Sequence, residues 1–274
     1  MTDDPPPDDP GEAVIDLPKD RETGLRVGRI TLFGPTGSGK TMMGCAFGKM
    51  MAPPSFPEKF ILSPKPTAAN LLPDWQWYKI PPTDKKQVEA FMGLMKDKRA
   101  ILLIDEADSY FGGSGRTYGT PSMFEAVNFG RNDCLALIVI AHGSNVAPKN
   151  LIENSAAVLF FRTSTPGLID YAEDYMPEVP DVAYTLRNLP DHVALVYAPL
   201  SREKFVGFAK LDVATGEINI WSPTESQPGE TESSTPDPSS TSPNDTERSS
   251  PDATVPGAAK SHRTGGGPAS VPTA

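Results

Sequence analysis

The chain passes from four strand-forming residues, Ile30-Thr-Leu-Phe33, through Gly34-Pro35-Thr36-Gly37-Ser38-Gly39-Lys40-Thr41 into a helix-forming run over 42–51. Strand, glycine-rich turn and helix in that order form a P-loop in its proper setting, and nothing else in the sequence constrains the fold as much. Gly34, Gly37 and Gly39 let the backbone wrap a phosphate chain with its N–H groups pointing inward, where side chains would obstruct. The helix that follows adds the partial positive charge of its N-terminus. Pro35, Thr36 and Ser38 complete the cradle. Lys40 is expected to reach the β- and γ-phosphates of ATP, and the Thr41 hydroxyl to ligate Mg²⁺. The fold expected around such a loop is α/β, with a mostly parallel sheet flanked by helices.

A second feature completes a hydrolytic pattern. Ala100-Ile-Leu-Leu-Ile104 is a continuous apolar run, as in a central parallel strand covered on both faces, and it ends in Asp105-Glu106. An acid at the tip of such a strand, beside a P-loop, is where Mg²⁺ is held through its water shell, and Asp105 is the candidate. Glu106 is placed to accept a proton from the attacking water. Small-molecule kinases share the loop but need a lid and an acceptor site, so the adjacent Glu favours hydrolysis. Asp105-Glu-Ala-Asp108 also spells a helicase signature. The chain shows neither the second RecA-like domain nor the late arginine-rich motif that those enzymes need.

The remaining elements follow in alternation. Lys59-Phe-Ile-Leu-Ser63 reads as a strand. Trp75-Gln-Trp77-Tyr-Lys-Ile80 meets Pro81-Pro82 and reads as an edge strand, its aromatics open to either base stacking or burial. Residues 85–98 form a helix with Val88, Phe91, Met92 and Met95 on one face. A glycine-rich stretch, 110–121, is expected as a mobile loop, and 123–129 as a short helix. Strands follow at 135–141 and 157–161, and a helix at 168–176. The sequence closes with strands at 194–197, 205–211 and 218–221, the last two joined by a turn at Ala214-Thr-Gly216 into a C-terminal β-hairpin.

Charge belongs to the ends. Residues 1–24 carry eight acidic and two basic side chains and 222–274 seven and three, which leaves 20 of each in 25–221. Three regions follow: a disordered acidic arm (1–24), one folded domain (25–221) and a disordered tail rich in Pro, Ser and Thr (222–274). The tail reads as a passive tether or as an interaction segment. No dense basic run argues for nucleic acid from composition. Two cysteines and three histidines build neither a disulfide framework nor a zinc cluster, which fits a reducing compartment. No apolar run approaches the ~18 residues of a membrane span, and the acidic, proline-rich start does not resemble a signal peptide.

Three further positions complete the candidate site. The strand 135–141 ends at His142-Gly-Ser-Asn145, and either His142 or Asn145 fits a polar group that senses the γ-phosphate. Arg131, just before that strand, fits an arginine finger acting in trans on a neighbour's site, or a surface charge paired with Asp133. Arg162, at the tip of 157–161, is a second finger candidate.

Taken together, the P-loop at 34–41, Leu102-Leu-Ile-Asp105-Glu106, Gly130-Arg131 and the segment from Pro148 to Arg162 resemble the additional-strand ATPases, typified by the bacterial chromosome translocase and the archaeal DNA-pumping helicase. More narrowly, they resemble the genome-packaging ATPases of tailless icosahedral viruses with an internal membrane, with filamentous-phage assembly proteins nearby. The resemblance spans about 26–200. It implies a RecA-like core in a ring, expected as a hexamer, that hydrolyses ATP at subunit interfaces and drives double-stranded DNA into a preformed procapsid. Arg131 then matches the trans-acting arginine. His142-Gly143 stands where the family often has Gln, a departure at the sensor. Implied partners are other copies of the chain, DNA, and capsid-vertex or viral membrane proteins. The implied location is the host cytoplasm during assembly, with the virion, or a plain cytoplasmic location, also open. A P-loop ATPase or kinase not acting on DNA, and a nucleotide-binding assembly factor, are the alternatives.

Overall fold

A computed structural model describes residues 15, 17–95, 98–111, 119–129, 135–143, 151, 153–177, 179–199 and 205–222. Nine strands form one sheet: β1 (Arg29–Phe33), β2 (Lys59–Leu62), β3 (Gln76–Tyr78), β4 (Ala100–Ile104), β5 (Leu135–Ala141), β6 (Ala157–Phe161), β7 (Val193–Ala198), β8 (Phe205–Leu211) and β9 (Ile218–Trp221). Their order across the sheet is β3-β2-β4-β5-β1-β6-β7-β8-β9. The first six in that order run parallel, and β7, β8 and β9 each run antiparallel to the strand before. The expected hairpin is therefore the outer part of a three-stranded antiparallel extension. Its turn closes as the sequence suggests, with Gly216 N–H donating to the Asp212 carbonyl at 2.8 Å.

Alternation along each buried strand sends successive residues to opposite faces. One face collects Leu102, Ile104, Leu137, Val139, Val158 and Phe160. The other collects Ile101, Leu103, Ile138, Ile140, Leu32 and Leu159. Helices cover both, which explains why the central strands read as unbroken apolar runs. On the first face lie α3 (Lys85–Met95), α4 (Ala107–Phe111), α5 (Pro121–Phe129), α6 (Pro166–Tyr175) and α7 (Val182–Asn188); on the second lie α1 (Lys40–Met51) and α2 (Thr67–Leu71). The α3 stripe of Val88, Phe91, Met92 and Met95 is buried as its spacing predicts. α1 lies close to the sheet because Gly44 faces it: a methyl group there would sit 2.7 Å from Cδ1 of Ile140.

Several expectations are corrected. The packed region begins before residue 25. Leu17 is buried, Lys19 bridges to Arg26, and Arg99 pairs with Glu22, so the last part of the acidic arm lies on the domain. Ile15 and Leu17 are apolar residues among charges, and they bury on the α1 face. Tyr110 and Phe111 do not open a loop; they close α4, and the Tyr110 hydroxyl donates to the Ile80 carbonyl at 2.7 Å. The rest of that expected loop, 112–118, lies outside the described residues. The two tryptophans part company. Trp75 is buried against α1, while Trp77 is half-exposed on edge strand β3 and donates its indole N–H to the Ser63 carbonyl at 3.1 Å.

Candidate functional site

All six parallel strands end on the same side of the sheet, and the predicted residues sit there. β5 lies between β1 and β4, so the P-loop after β1 and the carboxylates after β4 face each other across the tip of one interposed strand. His142 occupies that tip, directly after β5.

The P-loop folds as the glycines require. Gly39, the residue before α1, has φ 93°, a left-handed conformation that strains any residue with a Cβ. A side chain there would also meet the His192 ring, 2.6 Å from Nδ1. Gly34 passes so close to β6 that a Cβ would lie 2.7 Å from that of Phe161. The Ser38 hydroxyl is buried without a hydrogen-bond partner in the protein, an orphan acceptor and donor inside the cradle.

Lys40 is buried, and its ammonium donates to the Pro35 carbonyl at 2.7 Å, bending back over the loop. It also lies 3.4 Å from Nδ1 of His142. Burial lowers its pKa to about 8, against the opposing pull of Asp105, Asp108 and Glu106. A buried cation this uncomfortable is suited to a polyanion. Thr41, next on the helix, donates its hydroxyl to Oδ1 of Asp105 at 3.4 Å. Asp105 is buried; desolvation, reinforced by neighbouring Glu106, raises its pKa despite Thr41 and Lys40.

Glu106 has φ 59°, a left-handed conformation rare outside glycine. Such a conformation costs on the order of 1–3 kcal/mol and persists where neighbours over-determine it. Here they do. Oε1 accepts from Lys65 at 2.7 Å, and Oε2 lies 3.2 Å from Nε2 of His142. Partial burial works to raise the Glu106 pKa, but the hydrogen bonds and charges of Lys65 and His142 prevail and hold it below the ordinary value. Because Lys40 can only donate, Nδ1 of His142 accepts, which leaves the ring proton on Nε2, facing Glu106. The result is a relay of contacts, Lys40 to His142 to Glu106 to Lys65. Asp108 fixes the histidine from behind: its Oδ2 accepts the His142 backbone N–H at 2.6 Å, and burial raises its pKa.

The structure thus brings together Gly34, Pro35, Thr36, Gly37, Ser38, Gly39, Lys40, Thr41, Asp105, Glu106 and His142. Asn145 and Arg131 lie outside the described residues. Arg162 lies on the other side of β1, where it pairs with Asp191 at 2.6 Å. Sequence reasoning missed Lys65, Asp108 and His192. Lys65 follows β2 within a proline-flanked turn, and its only local signal is its place after a strand's carboxyl end. Among the described residues, no group of three or more His, Cys, Asp or Glu side chains is arranged to hold a metal ion. Thr41 and Asp105 are nevertheless a hard-oxygen pair of the kind that holds Mg²⁺ when phosphate and water supply the remaining ligands. None of the described helices is long and apolar enough to cross a membrane.

No protein-family model matches the sequence, and no curated protein matches it. Solved structures do. The genome packaging NTPase B204 from Sulfolobus turreted icosahedral virus 2, in complex with sulfate, is similar at 17% identity, with a TM-score of 0.55, over 66% of this chain and 95% of that one. Its complex with AMPPCP is similar at 16% identity, with a TM-score of 0.52, over 66% and 96%. B204, the DNA-packaging ATPase from Sulfolobus Turreted Icosahedral Virus, matches at 16%, with a TM-score of 0.51, over 65% and 96%. At such identities the likeness is one of fold, and it agrees with the strand order, in which β5 separates the P-loop strand from the acidic one. The chain has the RecA-like fold of the additional-strand P-loop NTPases.

Proposed function

We propose that the chain is an ATP-hydrolysing motor subunit that moves double-stranded DNA and packages a viral genome into a preformed procapsid during assembly in the host cytoplasm. One observation carries the hydrolytic half. A buried, depressed-pKa Lys40 in a glycine cradle faces Asp105 and Glu106 across the tip of β5, with His142 touching both sides. The DNA half is supported by the sequence resemblance and by likeness of fold to a DNA-packaging ATPase.

In this reading Lys40 leaves the Pro35 carbonyl for the phosphate chain, whose oxygens also take the backbone N–H groups of 34–41 and the orphan Ser38 hydroxyl. Thr41 and Asp105 hold Mg²⁺, Asp105 through water. Bound there, the ion neutralises charge on the β- and γ-phosphates. Glu106 accepts the proton of a water whose oxygen bonds to the γ-phosphorus as the bond to the bridging oxygen breaks, yielding ADP and phosphate. His142 senses the γ-phosphate, since withdrawal of Lys40 from Nδ1 changes the ring that holds Oε2 of Glu106. Arg131 of a neighbouring copy in a ring, expected as a hexamer, offsets transition-state charge.

The test is phosphate release by the full chain with and without linear double-stranded DNA, alongside Lys40→Ala. Hydrolysis that DNA stimulates and Lys40→Ala abolishes is expected. Substantial turnover in Lys40→Ala overturns the site; turnover indifferent to DNA overturns the motor.

A further inference from the structure

On the far side of the P-loop from Glu106 lies a cleft of about 140 Å³. One wall is the P-loop itself, at Pro35, Thr36, Gly37 and Ser38; the other is Arg162 and the turn Pro190-Asp191-His192. The topology explains how this turn arrives. β7 runs antiparallel to β6, so its beginning lies beside the carboxyl ends of the parallel strands. His192, with φ 63°, folds its ring onto Gly39, and Pro190, Asp191 and His192 are all exposed. Arg162 leaves half its side chain open while pairing with Asp191.

The geometry points to this cleft as the nucleoside subsite, taking the base and ribose of the nucleotide whose phosphates occupy the P-loop. The inference rests on the function proposed above. Glu106, His142 and Asp105 lie on the β5 and β4 side of β1, so the γ-phosphate must point that way. A triphosphate threaded through the loop then leaves on the β6 and β7 side, where its α-phosphate delivers the nucleoside to the cleft. The lining suits it. The guanidinium of Arg162, the imidazole of His192 and the Pro190 ring offer flat faces to a heteroaromatic base. The Asp191 carboxylate accepts hydrogen bonds from ribose hydroxyls, and Arg162 keeps it ionised beside an otherwise anionic ligand. Few directed donors or acceptors reach the base edge, so recognition by stacking tolerates more than one base.

The experiment compares two probes on the full chain: MgATP, and magnesium tripolyphosphate, which has the phosphates without the nucleoside. His192→Ala and Asp191→Asn are measured beside wild type by displacement of a fluorescent ATP analogue, with thermal melts to verify folding. His192→Ala should weaken MgATP roughly tenfold through lost stacking and leave tripolyphosphate unchanged. Asp191→Asn should narrow the preference for ATP over 2′-deoxy-ATP. Equal weakening of both probes by His192→Ala, or of neither, overturns the subsite while leaving the phosphate site standing. Wild-type protein that binds neither probe overturns the phosphate-site reading and the subsite with it.

Discussion

Compare the parallel half of the sheet with its antiparallel outer strands. Every residue of β1, β2, β4, β5 and β6 is buried, whereas β8 and β9 alternate between buried and partly exposed positions. The parallel half is sealed by helices on both faces, so its side chains carry packing and only its strand ends are free for chemistry. The antiparallel strands carry less of the core. They contribute instead by direction: reversal brings the start of β7 and the 212–217 turn to the face where the parallel strands end. Chemistry and stability are thus segregated along the strands in one half, while the other half supplies walls.

The largest test of that division is Glu106→Gln. It should lower turnover by roughly 10²–10⁴-fold while leaving nucleotide binding near wild type, as expected for loss of a general base. Single-turnover phosphate release and a binding titration separate the two, and near-normal turnover would move the chemistry away from β4. Next comes packing. Leu103→Ala in β4 should cost about 2–5 kcal/mol in urea unfolding, whereas Val206→Ala in β8 should cost about 1 kcal/mol or less. Comparable losses would erase the contrast between the halves. The smallest effect concerns Lys65→Ala. Lys65 helps hold the Glu106 pKa down, so its loss lets that pKa rise, and the base becomes ionised only at higher pH. The acid limb of the pH–rate profile should shift upward; an unmoved limb would mean that Glu106 does not set it.

The parallel half was the more legible in sequence, for a physical reason. A strand buried on both faces must be apolar throughout, so 100–104 and 135–141 announce themselves, and the polar residues that end them mark the reactive edge. The P-loop is similarly local, since one backbone path demands its glycines. What the sequence hid is pairing between distant segments. Nothing near Lys65 shows that it meets Glu106, and nothing near Asp108 shows that it caps the His142 N–H. His192 sits in a turn of ordinary composition, and only the reversal at β7 carries it to Gly39. The short helices α2, α4 and α7 escaped because five to seven residues give too little periodicity to stand out from polar loops. The arm boundary was misplaced because two apolar residues among charges are a weak signal until the surface they cover is known.

One consequence follows from the direction of the outermost strands. β9 runs back from the P-loop face, so Ser222 leaves the sheet at the opposite end. Leu17 packs there too, beside Gly28 and ahead of β1. The domain is thus handled from one pole and reactive at the other. Anchoring it to a bead or sensor chip through either flank would leave the nucleotide cradle facing the bulk solution.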